Sequence, residues 1–431
     1  MRLAPHPLIY DWNHDAAAPR AVAMLDDETL RDGLQSPSVR TPTIDEKIEL
    51  LQHMDGLGID TADIGLPGAG ARVACDVERL ARAIADGRMR IRANCAARTM
   101  IADIKPIAEI QQRTGVPIEC GAFIGSSPVR QYAEGWELDY LRKCTEEAIT
   151  FAVRQGLTVM YVTEDTTRSN PETLRRLFEA AINAGAHRVC IADTVGHATP
   201  AGARAVVRFA KQIIDDMGVD VGIDWHGHRD RDMGTINSLA ALEAGASRVH
   251  GTMLGIGERV GNTPMDLLMV NLVLMGWIER DLTHLNDLVQ AVSEATGEPI
   301  PDNYPVFGRD AFRTATGVHA AAVVKAFHKN EPDLADTVYS GVPARLVGRM
   351  QQIEIGPMSG RSNVLFWLER RGIKADEELI DRIFRRAKAS RTVLTEDEVL
   401  RECRTSGKVE KVEKVEEVEV GKWRKSGSTS E

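Results

Sequence analysis

Eight short apolar runs, each rich in Val or Ile, alternate with helical stretches between about residue 21 and residue 262. The runs occupy 21–27, 59–66, 89–95, 117–124, 157–164, 188–193, 219–228 and 247–254. They do not alternate strictly between apolar and polar residues, which is typical of strands buried on both faces of a parallel sheet. The segments between them, such as 45–57 and 171–184, repeat apolar residues at helical spacing. The pattern therefore predicts repeated βα units.

Eight such units in roughly 240 residues favour a (β/α)8 TIM barrel, an α/β fold that typically takes ~250 residues. A doubly wound open sheet is the competing interpretation. It would require a glycine-rich dinucleotide-binding turn after the first strand, and residues 27–35 do not form one. We therefore predict a TIM barrel.

The periodicity changes after residue 262, and a stretch rich in Pro, Gly and Asn at 296–309 is typical of a linker. Helical patterns around 318–327, 361–371 and 376–389 predict a helical C-terminal subdomain. The chain is accordingly divided into an N-terminal segment, the barrel, the helical subdomain and a low-complexity charged tail, with bounds 1–20, 21–285, 286–405 and 406–431.

Composition excludes several classes of protein. The hydrophobic fraction of 43% and the charged fraction of 27% are those of a globular chain. A net charge of −10 provides no basic footprint for nucleic acid. No stretch reaches the ~18 uncharged apolar residues of a membrane helix. Six scattered cysteines without a CxxC pair, and an N-terminus without a signal-peptide pattern, lead us to expect a cytoplasmic protein.

Polar clusters follow the predicted strands where a barrel carries its chemistry, at the carboxyl ends. The clusters lie at 27–35, 164–168, 193–197, 226–228 and 255–262. In the sharpest of them, His226 and His228 are two residues apart on an extended segment, so both imidazoles point to one side. Asp32 adds a carboxylate at the same mouth. Such a set suits Mn²⁺, Mg²⁺ or Zn²⁺ with open positions for substrate, although a His-x-His pair alone is often incidental.

Two other polar residues have both a structural and a functional interpretation. Arg31 is either a partner for barrel carboxylates or a fixed cation facing a developing oxyanion. Thr194, after Asp193, belongs either to a helix N-cap or to the site as a hydroxyl that donates to a substrate carboxylate.

Several motifs carry a resemblance. The stretches DETLRDGLQ, ADTVGHATP, WHGH and GIGERVGN, with Thr-Gly-Val-His at 316–319 and Ser-Gly-Arg at 359–361, are similar to those of the 2-isopropylmalate, homocitrate and citramalate synthase family. The resemblance runs from about Leu25 through the subdomain. It implies a metal-dependent TIM-barrel enzyme that condenses acetyl-CoA with a 2-oxo acid.

The resemblance also implies roles for individual residues. Asp32, His226 and His228 would bind the metal, with Asn262 close to the same site. Arg31 would face the oxygen of the substrate carbonyl or of the acetyl-CoA enolate, and Thr194 would hold the carboxylate of the 2-oxo acid.

Further implied roles concern proton transfer and assembly. Glu164 would lie in the acid/base neighbourhood. His319 of the subdomain would be the leading proton-transfer group, assisted by Tyr339. In such relatives the subdomain reaches the barrel of a partner subunit, so a homodimer is expected.

Two other functions share parts of this pattern. The hydroxymethylglutaryl-CoA lyase type resembles the chain in its RDGLQ string, but it carries a cysteine in the loop after strand eight, and residues 252–262 contain none. A catalytically silent barrel that binds a metabolite is the remote alternative, because Arg229 and Asp232 depart from the residues that usually follow the second metal histidine.

The loop after strand four, residues 123–130, should contact the side chain of the 2-oxo acid. Arg130 resembles, by its position in this loop, the arginine with which homocitrate synthases bind the distal carboxylate of their substrate. A guanidinium group pairs well with such an anion, because it can form two parallel hydrogen bonds. We therefore expect an acidic 2-oxo acid (2-oxoglutarate, oxaloacetate or phosphonopyruvate), the substrate of a homocitrate, citrate or phosphonomethylmalate synthase. The alternative substrate is a neutral 2-oxo acid, as in 2-isopropylmalate or citramalate synthase. The alternative interpretation of Arg130 is an exposed residue at the start of a helix, without a role in substrate binding.

Overall fold

The computed structural model describes residues 7–13, 23–329, 331–374 and 376–404. Its first part is a closed barrel of eight parallel strands in sequential order, and β1 pairs with β8 to close it. The strands are β1 (Met24–Asp27), β2 (Thr61–Asp63), β3 (Arg92–Arg98), β4 (Ile118–Gly125), β5 (Thr158–Glu164), β6 (Arg188–Asp193), β7 (Gly222–Gly227) and β8 (Arg248–Gly251). Each strand lies inside or overlaps one predicted run, so the predicted TIM barrel is confirmed.

Ten helices surround or follow the strands among the described residues of the first part of the chain. They are α1 (Ile44–Gly56), α2 (Ala71–Gly87), α3 (Ile101–Thr114), α4 (Pro128–Glu134), α5 (Leu138–Arg154), α6 (Pro171–Asn183), α7 (Pro200–Met217), α8 (Gly234–Ala244), α9 (Met265–Leu274) and α10 (Leu285–Thr296). In the part of the chain that the structure describes, every helix is too short or too polar to span a bilayer.

Local sequence sets where several of these helices begin. Thr43 accepts a hydrogen bond from the backbone N–H of Glu46, and the Glu46 side chain accepts one from the Thr43 N–H, which is a capping box before α1. The Ser127 and Thr199 side chains cap α4 and α7 by accepting from the backbone N–H three residues on, without the reciprocal bond, and proline follows each at the first helical position. These starts hold the loops after the strands at one rim of the barrel.

The barrel interior contains charged side chains as well as apolar ones. Arg248 on β8 is 1% exposed, and its guanidinium lies 2.6 Å from Asp224 and 2.7 Å from Glu119. Arg188 contacts the other oxygen of Asp224 at 2.5 Å. Burial opposes ionisation of Asp224, but the two guanidinium groups outweigh it and hold the pKa of that carboxyl well below its usual range. The strands are therefore joined by buried ion pairs.

The chain divides into two compact units between Pro301 and Asp302. Within its described residues, the second contains a two-stranded parallel sheet, which was not expected, and five helices. Its elements are β9 (Arg313–Thr314), α11 (Gly317–His328), α12 (Pro332–Thr337), β10 (Gln352–Ile353), α13 (Arg361–Arg370), α14 (Glu377–Ala389) and α15 (Glu396–Arg404). One apolar cluster packs α13, α14 and α15 together, around Trp367 and Ile383.

This division falls later than the boundary expected at 285/286. The reason is α10, which packs against α1, and whose Thr296 carbonyl accepts a hydrogen bond from the Arg40 N–H at 2.8 Å. These contacts join α10 to the first unit. The charged tail expected at 406–431 and most of the N-terminal segment 1–20 lie outside the described residues.

Replacing Arg248 with methionine is expected to destabilise the first unit by about 3–5 kcal/mol, because Asp224 and Glu119 would lose a buried partner. The control is Arg176→Met, which removes an exposed pair with Glu172 on α6. Denaturant unfolding measures both. Equal, small losses of stability in the two variants would contradict the importance assigned to the buried pairs.

Candidate active site at the carboxyl end of the barrel

The turn after β1 carries the first part of the site. The Glu28 N–H donates to the Gly251 carbonyl on β8 at 2.8 Å, and the Glu28 carbonyl accepts from the N–H groups of Arg31 and Gly33. The Thr29 hydroxyl accepts from the N–H of Met253, which follows β8. These two hydrogen bonds therefore fix the turn to the end of β8 and to the residues that follow it.

Asp32, His226 and His228 come together at the mouth, as the sequence predicts. The Nε2 atoms of His226 and His228 lie 3.2 Å apart. Asp32 Oδ2 lies 3.5 Å from the first of these nitrogens and 3.7 Å from the second. Two ligands bound to one ion at ~2.1 Å and roughly right angles lie about 3 Å apart. The three atoms thus have the spacing of a metal ligand set, and all three residues are buried.

Asn262 joins this group through the loop after β8. Its side-chain Nδ2 donates to Asp32 Oδ2 at 2.6 Å, while its buried Oδ1 has no hydrogen-bond partner among the described residues. The loop folds back tightly: a Cβ on Gly257, at φ +153°, would lie 2.1 Å from that Oδ1, and one on Gly261, at φ +96°, 1.8 Å from the Gly255 carbonyl. Only glycine fits at these two positions. An unpartnered amide oxygen beside three candidate ligands fits a bound cation.

The two histidines differ in their surroundings. His226 Nδ1 lies 2.7 Å from a Glu28 carboxylate oxygen. Burial lowers the pKa of His226, but Glu28 and Asp32 outweigh it and the pKa is raised. His228 Nδ1 is buried with no hydrogen-bond partner in the described chain, and burial together with His226 lowers the pKa of His228 to about 4. A neutral imidazole is the form that binds a metal.

Arg31 contacts three carboxylates at once. Its Nε donates to Asp63 at 2.6 Å, Nη2 to Glu28 at 3.3 Å, and Nη1 lies 3.1 Å from Asp32. Burial acts to lower the pKa of Arg31, but Asp63 and the other carboxylates raise it, so the guanidinium stays charged. The structure therefore shows the first of the two interpretations of Arg31, a partner for barrel carboxylates, and places that cation beside the candidate metal ligands.

Arg130 and Glu164 also lie together. Arg130 Nε is 3.0 Å from Glu164, at the end of β5, and Nη1 donates to Glu134 on α4 at 2.7 Å. Burial raises the pKa of Glu164, with Arg130 opposing the shift. Arg31 and Arg130 are thus both paired with carboxylates. An anionic substrate that binds Arg130 has to compete with Glu134 and Glu164.

Thr194 and the departures from the family pattern have structural partners. Thr194 Oγ1 accepts from the Asp165 N–H at 2.8 Å, and its hydroxyl hydrogen remains able to donate. Arg229 donates to the carbonyls of Val260 and Leu254, so it holds the loop that carries Asn262. Asp232 lies at φ +57°, in the left-handed region that glycine adopts at least cost and that Asp and Asn also visit.

The remaining two predicted residues belong to the second unit. His319 on α11 and Tyr339 after α12 stack with ring centroids 4.1 Å apart, and Tyr339 is 50% exposed. The structure therefore brings this pair together, in a unit of the chain separate from that of the barrel residues.

Sequence reasoning missed three members of the site: Glu28, His250 and Asp63. Each is an ionisable residue at 3% exposure or less within or just after a predicted strand. Their position in or next to an apolar strand could have revealed them, because a buried ionised group in a strand needs a partner inside the barrel. His250 Nδ1 lies 3.0 Å from Glu28, and Asp63 holds Arg31.

Comparison with known proteins agrees with this geometry. Residues 22–293 match the HMGL-like family. The chain is 34% identical to "Probable 2-isopropylmalate synthase" of Methanopyrus kandleri over 84% of its length and 68% of the relative's. It is 32% identical to a homocitrate synthase of the same organism, covering 87% and 90% of the two chains, and 31% identical to a homocitrate synthase of Pyrococcus abyssi, covering 88% and 99%. The chain belongs to the HMGL-like family and is an enzyme of the acyltransferase type.

Solved structures show the same fold. A hydroxymethylglutaryl-CoA lyase of Bacillus subtilis superimposes with a TM-score of 0.54 at 19% identity, over 66% of this chain and 96% of that one. A lyase of the same kind from Pseudomonas aeruginosa gives a TM-score of 0.54 at 18% identity, over 64% and 94%. At these identities the likeness is one of fold.

Substituting Gly257 with alanine is expected to weaken binding of Mn²⁺ at the candidate centre at least tenfold, because the new Cβ would displace Asn262 from Asp32. Gly70→Ala is the matched control, since Gly70 has a similar φ of +144° with nothing within 4 Å of its Cβ position. Titration of each variant with Mn²⁺ measures the effect. Equal affinities in the two variants would contradict the placement of Asn262 at the centre.

Proposed function

We propose that this enzyme condenses acetyl-CoA with a 2-oxo acid and hydrolyses the resulting thioester, which yields a 2-hydroxy-2-carboxymethyl acid and CoA. The observation that carries the proposal is the convergence of Asp32, His226 and His228 beside the Arg31 cation. The synthase names of the relatives at 31–34% identity support condensation over the cleavage performed by the lyases, which are below 20% identity.

Asp32, His226 and His228 would hold a divalent cation (Mn²⁺, Mg²⁺ or Zn²⁺), with Asn262 beside it. When bound, such an ion polarises the keto carbonyl of the 2-oxo acid. Arg31, held by three carboxylates, presents a fixed positive charge to the oxygen that gains negative charge during enolate formation and attack. The Thr194 hydroxyl donates to the carboxylate of the 2-oxo acid.

Proton transfer requires a positioned base, because a thioester methyl group is a very weak acid. We assign this task to His319 with Tyr339, whose rings stack in the second unit, and place Glu164 in the acid/base neighbourhood at the mouth. By resemblance to the synthase family, His319 would serve the barrel of a partner subunit. The functional enzyme is then a homodimer in the cytoplasm.

For the substrate we favour an acidic 2-oxo acid: 2-oxoglutarate, oxaloacetate or phosphonopyruvate. Arg130 supports this choice, because its guanidinium lies beside Glu164 at the carboxyl end of β5, where it could pair with a distal carboxylate of the substrate. The neutral alternative, a 2-isopropylmalate or citramalate synthase, draws support from the ion pairs of Arg130, since Glu134 and Glu164 already balance its charge.

Release of CoA from acetyl-CoA tests the proposal directly. The assay is run with Mn²⁺ or with a chelator, on 2-oxoglutarate, oxaloacetate, phosphonopyruvate, 2-oxoisovalerate and pyruvate. We expect metal-dependent release that is fastest with one of the first three acids. Fastest release with 2-oxoisovalerate or pyruvate would replace the acidic substrate by a neutral one, and no release with any acid would favour a silent metabolite-binding barrel.

Arg130→Ala is expected to raise KM for the acidic 2-oxo acid at least tenfold and KM for acetyl-CoA less than twofold, because the side chain would contact only the former. Arg142→Ala, which breaks an exposed pair with Glu146 on α5, is the matched control and should change neither. Steady-state kinetics with each substrate varied gives the answer. Equal increases in both KM values would rule out Arg130 as the specificity residue.

A further inference from the structure

We propose that Glu28 is a positioning residue for the metal centre: its carboxylate holds the His226 imidazole with the proton on Nδ1, so that Nε2 is free to bind the cation. The inference rests on the proposed function, since it assumes the centre formed by Asp32, His226 and His228. It adds a residue outside the ligand set and assigns unequal roles to the two histidines.

The two nitrogens of His226 face different partners. Nδ1 lies 2.7 Å from Glu28 Oε2, whereas Nε2 lies 3.2 Å from His228 Nε2 and 3.5 Å from Asp32 Oδ2. An ionised carboxylate offers only lone pairs, and a bare nitrogen lone pair 2.7 Å from it would be repelled, so we infer that Nδ1 carries the proton. In a neutral imidazole the other nitrogen then carries the lone pair, and this nitrogen points at the centre. A metal-bound histidine commonly donates its second ring N–H in this way.

Glu28 is itself held on its other oxygen. Oε1 accepts from Arg31 Nη2 at 3.3 Å and lies 3.0 Å from His250 Nδ1. His250 Nε2 in turn lies 3.2 Å from Asp224, which accepts from Arg248. Glu28 is 3% exposed and His250 1%. The carboxylate therefore cannot turn away from His226 without breaking a contact inside the barrel.

His228 has no comparable support. Its Nδ1 is buried, and no group among the described residues forms a hydrogen bond with it. The imidazole of His226 is thus oriented by Glu28 from outside the ligand set, whereas the polar contacts of the His228 ring are those of its Nε2 with His226 and Asp32, inside the set. The loss of Glu28 should therefore lower the affinity of the centre through one specific ligand.

A second interpretation of the same residues is a second metal site, because ligand atoms of Glu28, His226 and His250 also lie close together. The 3.0 Å contact of His250 Nδ1 with Glu28 is a hydrogen bond, and the 2.7 Å contact of His226 Nδ1 with Glu28 is a close ion-pair contact. His250 also already contacts Asp224 through its other nitrogen. We therefore assign these atoms to contacts between protein side chains, and the number of cations bound by the chain distinguishes the two interpretations.

The test measures Mn²⁺ affinity and stoichiometry by competition with a chelator, and the absorption spectrum of the Co²⁺-loaded protein. Glu28→Gln is compared with Asp26→Asn, which removes a buried carboxyl group on β1 that lies 3.6 Å from His250. We expect one Mn²⁺ per chain, an affinity ~10–100-fold weaker in Glu28→Gln, and a change below about threefold in Asp26→Asn. The Co²⁺ spectrum should change only in Glu28→Gln.

The thermal midpoint of each metal-free variant shows whether it is folded. If Glu28→Gln does not fold, Glu28→Asp replaces it, which keeps the charge but withdraws the carboxylate by one methylene; we expect it to weaken Mn²⁺ binding severalfold. Unchanged affinity in the folded Glu28 variant, or an equal loss in Asp26→Asn, would overturn the positioning role and leave the metal centre intact. Two cations per chain would replace the side-chain contacts of Glu28 by a second site. No Mn²⁺ binding by the unaltered protein would overturn the proposed centre itself.

Discussion

The pairing of buried charges inside a closed barrel is the constraint on which the site depends. An ionised carboxylate is very costly to bury without a partner. Glu28 meets this requirement with His226, His250 and Arg31, three residues that lie on β7, on β8 and in the turn after β1. Satisfying that one carboxylate therefore fixes the turn after β1 relative to the last two strands. The same geometry brings Asp32 within 3.7 Å of both histidines of the candidate metal centre.

Much of the fold and the ligand set could be predicted from sequence. The eight strands were found because parallel barrel strands are buried on both faces and read as apolar runs separated by helices. The closeness of Asp32 to His226 and His228 followed from the same topology, because the carboxyl ends of all eight strands share one rim. The His-x-His spacing predicted that both imidazoles point to the same side, since alternate residues of an extended segment face one way.

What sequence could not supply are partners far apart in the chain. Glu28 and His250 are 222 positions apart, and Arg248 and Glu119 are 129 apart, so only the closed barrel shows that they meet. Arg130 was expected to pair with a carboxylate of the substrate, but α4 and β5 provide Glu134 and Glu164 beside it. The boundary between the two units was placed before α10 because helical periodicity does not reveal which unit a helix packs against.

The central claim is that one divalent cation binds at Asp32, His226 and His228 and serves the condensation. Anomalous diffraction from crystals soaked in Mn²⁺ and 2-oxoglutarate measures this most directly. The account predicts a single strong anomalous peak within bonding distance of Asp32 Oδ2 and of Nε2 of both histidines, with the 2-oxo acid against it. A peak among Glu28, His226 and His250, or no peak at the mouth, would contradict the account.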